Sequence, residues 1–270
     1  MKARIKFQKY GSMKFIGHLD VMRYFQKLFR RAGIDNEYSK GFSPHQIMSF
    51  AAPLGVGLTS DGEYLDVQLL SSDTPEVMIN RLNEVITEGF KIIDFHPLLD
   101  PEFNKKVITA MSLVASADYL VSLKDGYSLG EIKNQEEFIV QFEKFLNQKE
   151  IMIDKKTKTS EKIVDIRPAI TLSAFDEKDY EERLGNVLNP MKETVTKPVS
   201  VADSYNNGIK VYLQVATGSA ENLKPEQVME AFYDFIKVPF EKFAWQVHRI
   251  EVYTKDPQLN QLISLDKLER

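Results

Sequence analysis

Residues 3–10 alternate, with Ala3, Ile5 and Phe7 on one side and Arg4 and Lys6 on the other, the period-two mark of a strand with one face in a core. From His18 the period changes. Leu19, Met22, Phe25, Phe29 and Ala32 recur at helical spacing, Gly33 is placed to end the helix, and Arg23, Lys27, Arg30 and Arg31 fall on the other face. After a turn over residues 40–45, residues 46–52 and 63–70 read as strands and 90–98 as another. Between them residues 75–86 read as a helix, with Thr74 as its cap and Pro75 at its first position. The order β-α-β-β-α-β predicts a ferredoxin-like sandwich.

A break-rich stretch over residues 97–106 precedes a similar order. Strands are expected over 117–124, 169–175, 210–217 and 247–255, helices over 135–148 and 225–236, and a hairpin over 152–158 and 162–166. The expectation is an α+β chain of two ferredoxin-like (βαββαβ) modules in tandem, residues 1–104 and 105–270. The second is elaborated by an insertion over 176–207, which is acidic at first and then broken by Asn189-Pro190 and Lys197-Pro198. A chain of 270 residues is long enough for two such cores.

Charge separates the start of the chain from the rest. The first fifty residues hold ten basic and three acidic side chains, a net of about +7, whereas the whole chain carries −4. The leading region therefore suits an anionic partner. No cysteine is present, which removes disulfides, thiolate metal sites, cysteine nucleophiles and a cysteine-held iron–sulfur cluster. No run of apolar residues reaches membrane-span length, and the amphipathic start lacks the apolar core of a signal peptide, so a cytoplasmic chain without a membrane partner is expected.

Three constellations carry candidate chemistry. Arg23, Lys27 and Arg30, joined by Arg31, form a basic stripe that can track phosphates, with Arg4 and Lys6 adding to it if the strand's polar face is open. The same stripe also serves as an ordinary solvated helix face. Ser39, Lys40, Gly41, Phe42 and His45 place a cation, a flexible backbone, a hydroxyl, an imidazole and an aromatic ring in one short loop, a composition suited to a nucleotide. A third set, Lys155, Lys156, Lys158 and Arg167, forms a basic hairpin that can extend the path or merely keep the chain dissolved. His18, Asp20 and His45 are candidates for acid–base chemistry, since imidazoles titrate near neutrality; Asp20 alone is explained as a first-turn charge on the helix. His18 and His45 lie 27 positions apart without a metal motif, so neither a metal nor another cofactor is expected. Walker A, G-x-G-x-x-G, H-E-x-x-H and G-x-S-x-G are all missing.

The segments Gly17-His18-Leu19-Asp20, Arg30-Arg31-Ala32-Gly33, Tyr38-Ser39-Lys40-Gly41-Phe42-Ser43-Pro44-His45, Ser49-Phe50 and Pro53-Leu54-Gly55-Val56-Gly57, with Arg23, resemble the opening signature of the bacterial radical-SAM-linked protein family. Lys158 through Asp165-Ile166-Arg167-Pro168 resembles that family's second motif, and Gly17 stands where the family usually has serine. The resemblance implies a radical SAM protein as partner, in many cases near RNA- or ribosome-related functions, and supplies no activity. The combined expectation is a non-catalytic RNA- or nucleotide-binding accessory protein of a radical SAM modification system. The alternatives are a stand-alone RNA-processing or transferase enzyme using His18 and His45, and a protein–protein adaptor.

Overall fold

The alternating start of the chain becomes strand β1 (Lys2–Lys9), and the stripe that follows becomes helix α1 (His18–Arg31). They are followed by β2 (Met48–Phe50), β3 (Thr59–Gln68), α2 (Pro75–Val85), β4 (Phe90–Leu98) and α3 (Ala110–Leu113). The second half runs β5 (Ser116–Leu123), α4 (Gln135–Leu146), β6 (Met152–Lys156), β7 (Glu161–Asp165), β8 (Ile170–Ala174) and α5 (Glu177–Gly185). It closes with β9 (Lys210–Ala216), α6 (Pro225–Ile236), β10 (Trp245–Lys255) and β11 (Leu262–Ser264). This computed structural model describes residues 1–98, 109–156, 161–188, 199–218, 221–256, 258 and 261–268. The chain is a mixed α+β protein whose paired strands are mostly antiparallel, and it divides into two compact units.

The first unit comprises residues 1–115, 188–202 and 249–270. Its strands lie in the order β4-β1-β3, with β2 and the C-terminal part of β10 on the far side of β3 and β11 beside β10. Ala3, Ile5 and Phe7 of β1 enter a core with Val21, Phe25, Leu28 and Phe29 of α1 and Met78 and Leu82 of α2. Phe7 and Phe25 pack with ring centres 4.6 Å apart. Gly33 adopts φ +63°, where a side chain would be strained, and the Ile34 N–H returns to the Phe29 carbonyl to close α1. Thr74 precedes α2 in an extended conformation, but its side chain makes no capping bond, contrary to the role expected of it.

The polar side of β1 departs furthest from expectation. Arg4 and Lys6 were candidates for an open basic face; both are buried, at 1% and 6% exposure. Arg4 grips Asp66 through Nε and Nη2 at 2.8 and 3.1 Å and donates Nη1 to the Leu265 carbonyl at 2.8 Å. The Lys6 ammonium pairs with Glu251 and Asp266, and the Tyr64 hydroxyl donates to the same two carboxylates. Gln8 donates to Asp61 and to the Val199 carbonyl. These cations are therefore spent on internal carboxylates and are removed from any anion-binding surface. A buried charge persists only when it is paired in this way.

The second unit comprises residues 116–187 and 203–248. Its strand order is β10-β5-β9-β8, with β6 and β7 as a separate hairpin. Phe138, Phe142 and Phe145 of α4 meet Phe232 of α6, and Phe138 meets Trp245 of β10. Within the expected 176–207 insertion the chain forms α5, capped by the Asp176 side chain; Asn189-Pro190 and Lys197-Pro198 lie outside the described residues. Apart from the hairpin and α5, the chain order strand–helix–strand–strand–helix–strand occurs in both units. So does the spatial order fourth–first–third–second.

Candidate anion-binding site

Helix α1 buries Val21, Phe25, Leu28 and Phe29 and turns Arg23, Lys27 and Arg30 to solvent. The stripe is not uniform. Arg23 spends one N–H on Asp20 at 3.1 Å, a first-turn pair with both side chains more than 60% exposed, and such a pair contributes little. Arg31 donates to the Val85 carbonyl and lies over the Tyr24 ring, which fixes it against the protein. Lys27 and Arg30 are exposed and form no ion pair with a described residue.

The loop over residues 39–45 is tied to the same helix. Its base is an antiparallel bridge between Tyr38 and Gln46, and the Gln46 amide nitrogen donates to the Gln26 carbonyl of α1 at 3.3 Å. Ser39 and His45 close the loop. The Ser39 N–H donates to the His45 carbonyl at 2.8 Å, the His45 N–H donates to Ser39 Oγ at 3.1 Å, and that hydroxyl is 2.9 Å from His45 Nδ1. The Ser43 carbonyl lies 3.4 Å from the same Nδ1, so two oxygens of the loop flank that nitrogen. Gly41 has φ +118°, which no side-chain-bearing residue adopts without strain, and it turns the chain so that Phe42 is fully exposed beside exposed Lys40. An aromatic ring left wholly in water next to a cation without a described partner suits a stacked, anionic ligand.

His18 belongs elsewhere. It opens α1 after Gly17, packs edge-on against Phe50 with centroids 5.1 Å apart, and lines a cavity of about 10 Å³ with Lys9, Pro53, Leu54 and Glu63. Residues 39–45 do not contribute to that cavity. Burial lowers the His18 imidazole below its usual value, so it is neutral at pH 7 and adds no positive charge there. Lys9 lies beneath it, also lowered by burial and by Arg249, with Glu63 pulling the other way. Arg249 donates to the Ala52 carbonyl at 2.7 Å and stands 3.4 Å from Glu63. Lys9 follows Phe7 on the same face of β1, as period two requires, and so lines this cavity with it. The Gly17–Asp20 and Pro53–Gly57 segments meet at this cavity through His18, Pro53 and Leu54, and the Gly57 N–H donates to the Lys14 carbonyl at 2.7 Å.

The basic hairpin is only partly described. Lys155 donates to the Asn222 carbonyl at 2.8 Å, Lys156 is the last described residue of β6, and Lys158 lies outside the described residues. Arg167 donates Nε to the Leu146 carbonyl at the end of α4 and Nη1 to the Ile170 carbonyl at the start of β8. Among the described residues no three of His, Asp and Glu gather to hold a metal ion, and no helix is long and apolar enough to cross a membrane.

A comparison with curated proteins finds no match. A family model described as an uncharacterized protein conserved in bacteria (DUF2344) matches residues 2–225, a span that takes in α1, the 39–45 loop, the His18 cavity and most of the second unit. The chain belongs to the DUF2344 family.

Proposed function

We propose that this protein is a non-catalytic binding module for single-stranded RNA or nucleotides, working as an accessory to a radical SAM enzyme in the cytoplasm. One observation carries the reading: wholly exposed Phe42 and exposed Lys40 sit on a loop tied through Gln46 to α1, the helix that carries exposed Lys27 and Arg30. A ring that stacks on a base, flanked by cations for the neighbouring phosphates, is how single strands are held without sequence readout. The strand order fourth–first–third–second with two helices supports reading each unit as a ferredoxin-like module. The radical SAM partner is proposed from the resemblance of the opening segments. It is consistent with a chain that has no cysteine to hold a cluster of its own.

The test is a salt titration of a fluorescein-labelled 12-nucleotide oligouridylate against the full chain. Each phosphate contact contributes about −0.7 to the slope of log K against log salt for a single strand. The combined Lys27→Ala, Arg30→Ala and Lys40→Ala variant is therefore expected to flatten the slope by about 2. An unchanged slope and affinity would refute the proposal. RNA cleavage or group transfer by the isolated chain, abolished in His45→Ala with the fold intact, would replace it with the enzymatic reading.

A further inference from the structure

The sheet of the second unit ends in β8, whose inner edge pairs with β9 and whose outer edge pairs with no described strand. A cavity of about 340 Å³ opens along that edge, lined by the four successive residues Ile170, Thr171, Leu172 and Ser173 together with Arg167 and Arg183, and walled on its apolar sides by Leu146 and Val187. At the start of that edge the Ile170 carbonyl accepts from Arg167 at 3.1 Å. Beyond this bond no described strand pairs with the edge.

The two arginines indicate the charge of the occupant. Arg167 is half-buried and forms no ion pair with a described carboxylate. Its bonds to two carbonyls use Nε and one Nη1 proton and fix the plane of the guanidinium, leaving three N–H donors. Burial of an arginine without a counterion is uncommon, and a fork held in place ahead of binding suits a planar carboxylate. Arg183 pairs through Nε with Asp179 at 2.7 Å and keeps its remaining donors, with the side chain 54% exposed.

We infer that this groove docks a short extended segment of a partner protein, rich in Asp or Glu, which adds as a strand to the outer edge of β8 and places a carboxylate on Arg167. Strand addition takes its affinity from main-chain bonds and its selectivity from alternate side chains, and here those alternate positions meet the guanidinium fork and the Leu146 and Val187 walls. A nucleic acid fits less well. No aromatic ring lines the groove to stack on a base. The assignment is independent of the RNA-binding proposal, which rests on the first unit.

The experiment mixes the full chain with an equimolar pool of acetylated, amidated octapeptides that alternate Val or Thr with Asp or Glu, and follows amide exchange by mass spectrometry. At about 1 mM peptide, exchange over residues 170–175 is expected to slow about fivefold. A matching pool with Lys in the acidic positions is expected to leave it unchanged. Arg183→Met, an exposed position whose loss leaves the fold intact, should weaken the protection about threefold. Arg167→Lys, which keeps a cation but loses the fork, should weaken it further. Equal protection by the two pools, no slowing with either, or slowing by a 12-nucleotide oligouridylate in place of the acidic pool each overturns the inference.

Discussion

Replacing Arg4 with Met tests whether the polar face of β1 is held as a buried ion network. The guanidinium is fully buried and makes two bonds to Asp66 and one to the Leu265 carbonyl. Methionine fills most of the same space, so the perturbation is chiefly electrostatic. Removing one partner of a buried pair costs about 3–5 kcal/mol because the other charge is left behind. Asp66 would retain Lys2 at 3.2 Å and the Ala110 N–H at 3.1 Å, which places this contribution near the lower limit of about 3 kcal/mol. The orphaned Leu265 carbonyl adds about 1 kcal/mol, for a total of about 4. Urea denaturation of the wild type and variant at pH 7, followed by circular dichroism and by amide exchange over β1 and β3, measures the loss in the first unit even if the two units unfold separately. The companion variant Arg4→Met/Asp66→Leu removes both charges, and its stability is expected to lie at least about 2 kcal/mol above the sum of the single losses. Additivity within about 0.5 kcal/mol would show that the two side chains do not act as a pair and would refute the reasoning.

Glu251 makes stability depend on pH. Burial, joined by the charge of Asp266 and opposed by Lys6, raises its carboxyl from 4.5 to about 7. A raised acid contributes stability that is fully present below about 4.5 and is lost as pH rises through 7, an effect of about 3 kcal/mol. Glu251→Gln should therefore gain melting temperature relative to wild type between pH 5 and pH 8, and a difference that does not vary with pH would contradict this assignment. Phe42→Ala is expected to leave the melting temperature unchanged, since the ring is wholly exposed, and to weaken oligouridylate binding by about 1–3 kcal/mol. Unchanged affinity would exclude Phe42 as a stacking platform. At Gly62 a Cβ would sit 2.9 Å from Glu251 Oε1 and 3.0 Å from the Ile250 carbonyl, so Gly62→Ala should cost about 1–3 kcal/mol by urea denaturation. A neutral result would mean that β10 shifts to make room.

The linear chain determined which residues form which elements. The change from period two in β1 to helical spacing in α1, Pro75 opening α2 and Gly33 closing α1 are local effects, acting over three or four positions. Exposure of Lys27 and Arg30 followed from the same periodicity, because a helix that buries one face must show the other. Local order could not say what would cover the far side of β1. Arg4 and Lys6 read as surface cations until residues 251, 265 and 266, more than two hundred positions away, supplied a carbonyl and two carboxylates. Lys9 counted toward the basic charge of the first fifty residues until the fold set it in the cavity beside His18 and Glu63. Arg167 read as part of a basic hairpin until folding bonded it to the last carbonyl of α4 and set it in the lining of a cavity. Periodicity reports which face a side chain occupies; what that face meets depends on chain segments brought together only by folding, and burial or pairing there decides whether a charge remains available to a ligand.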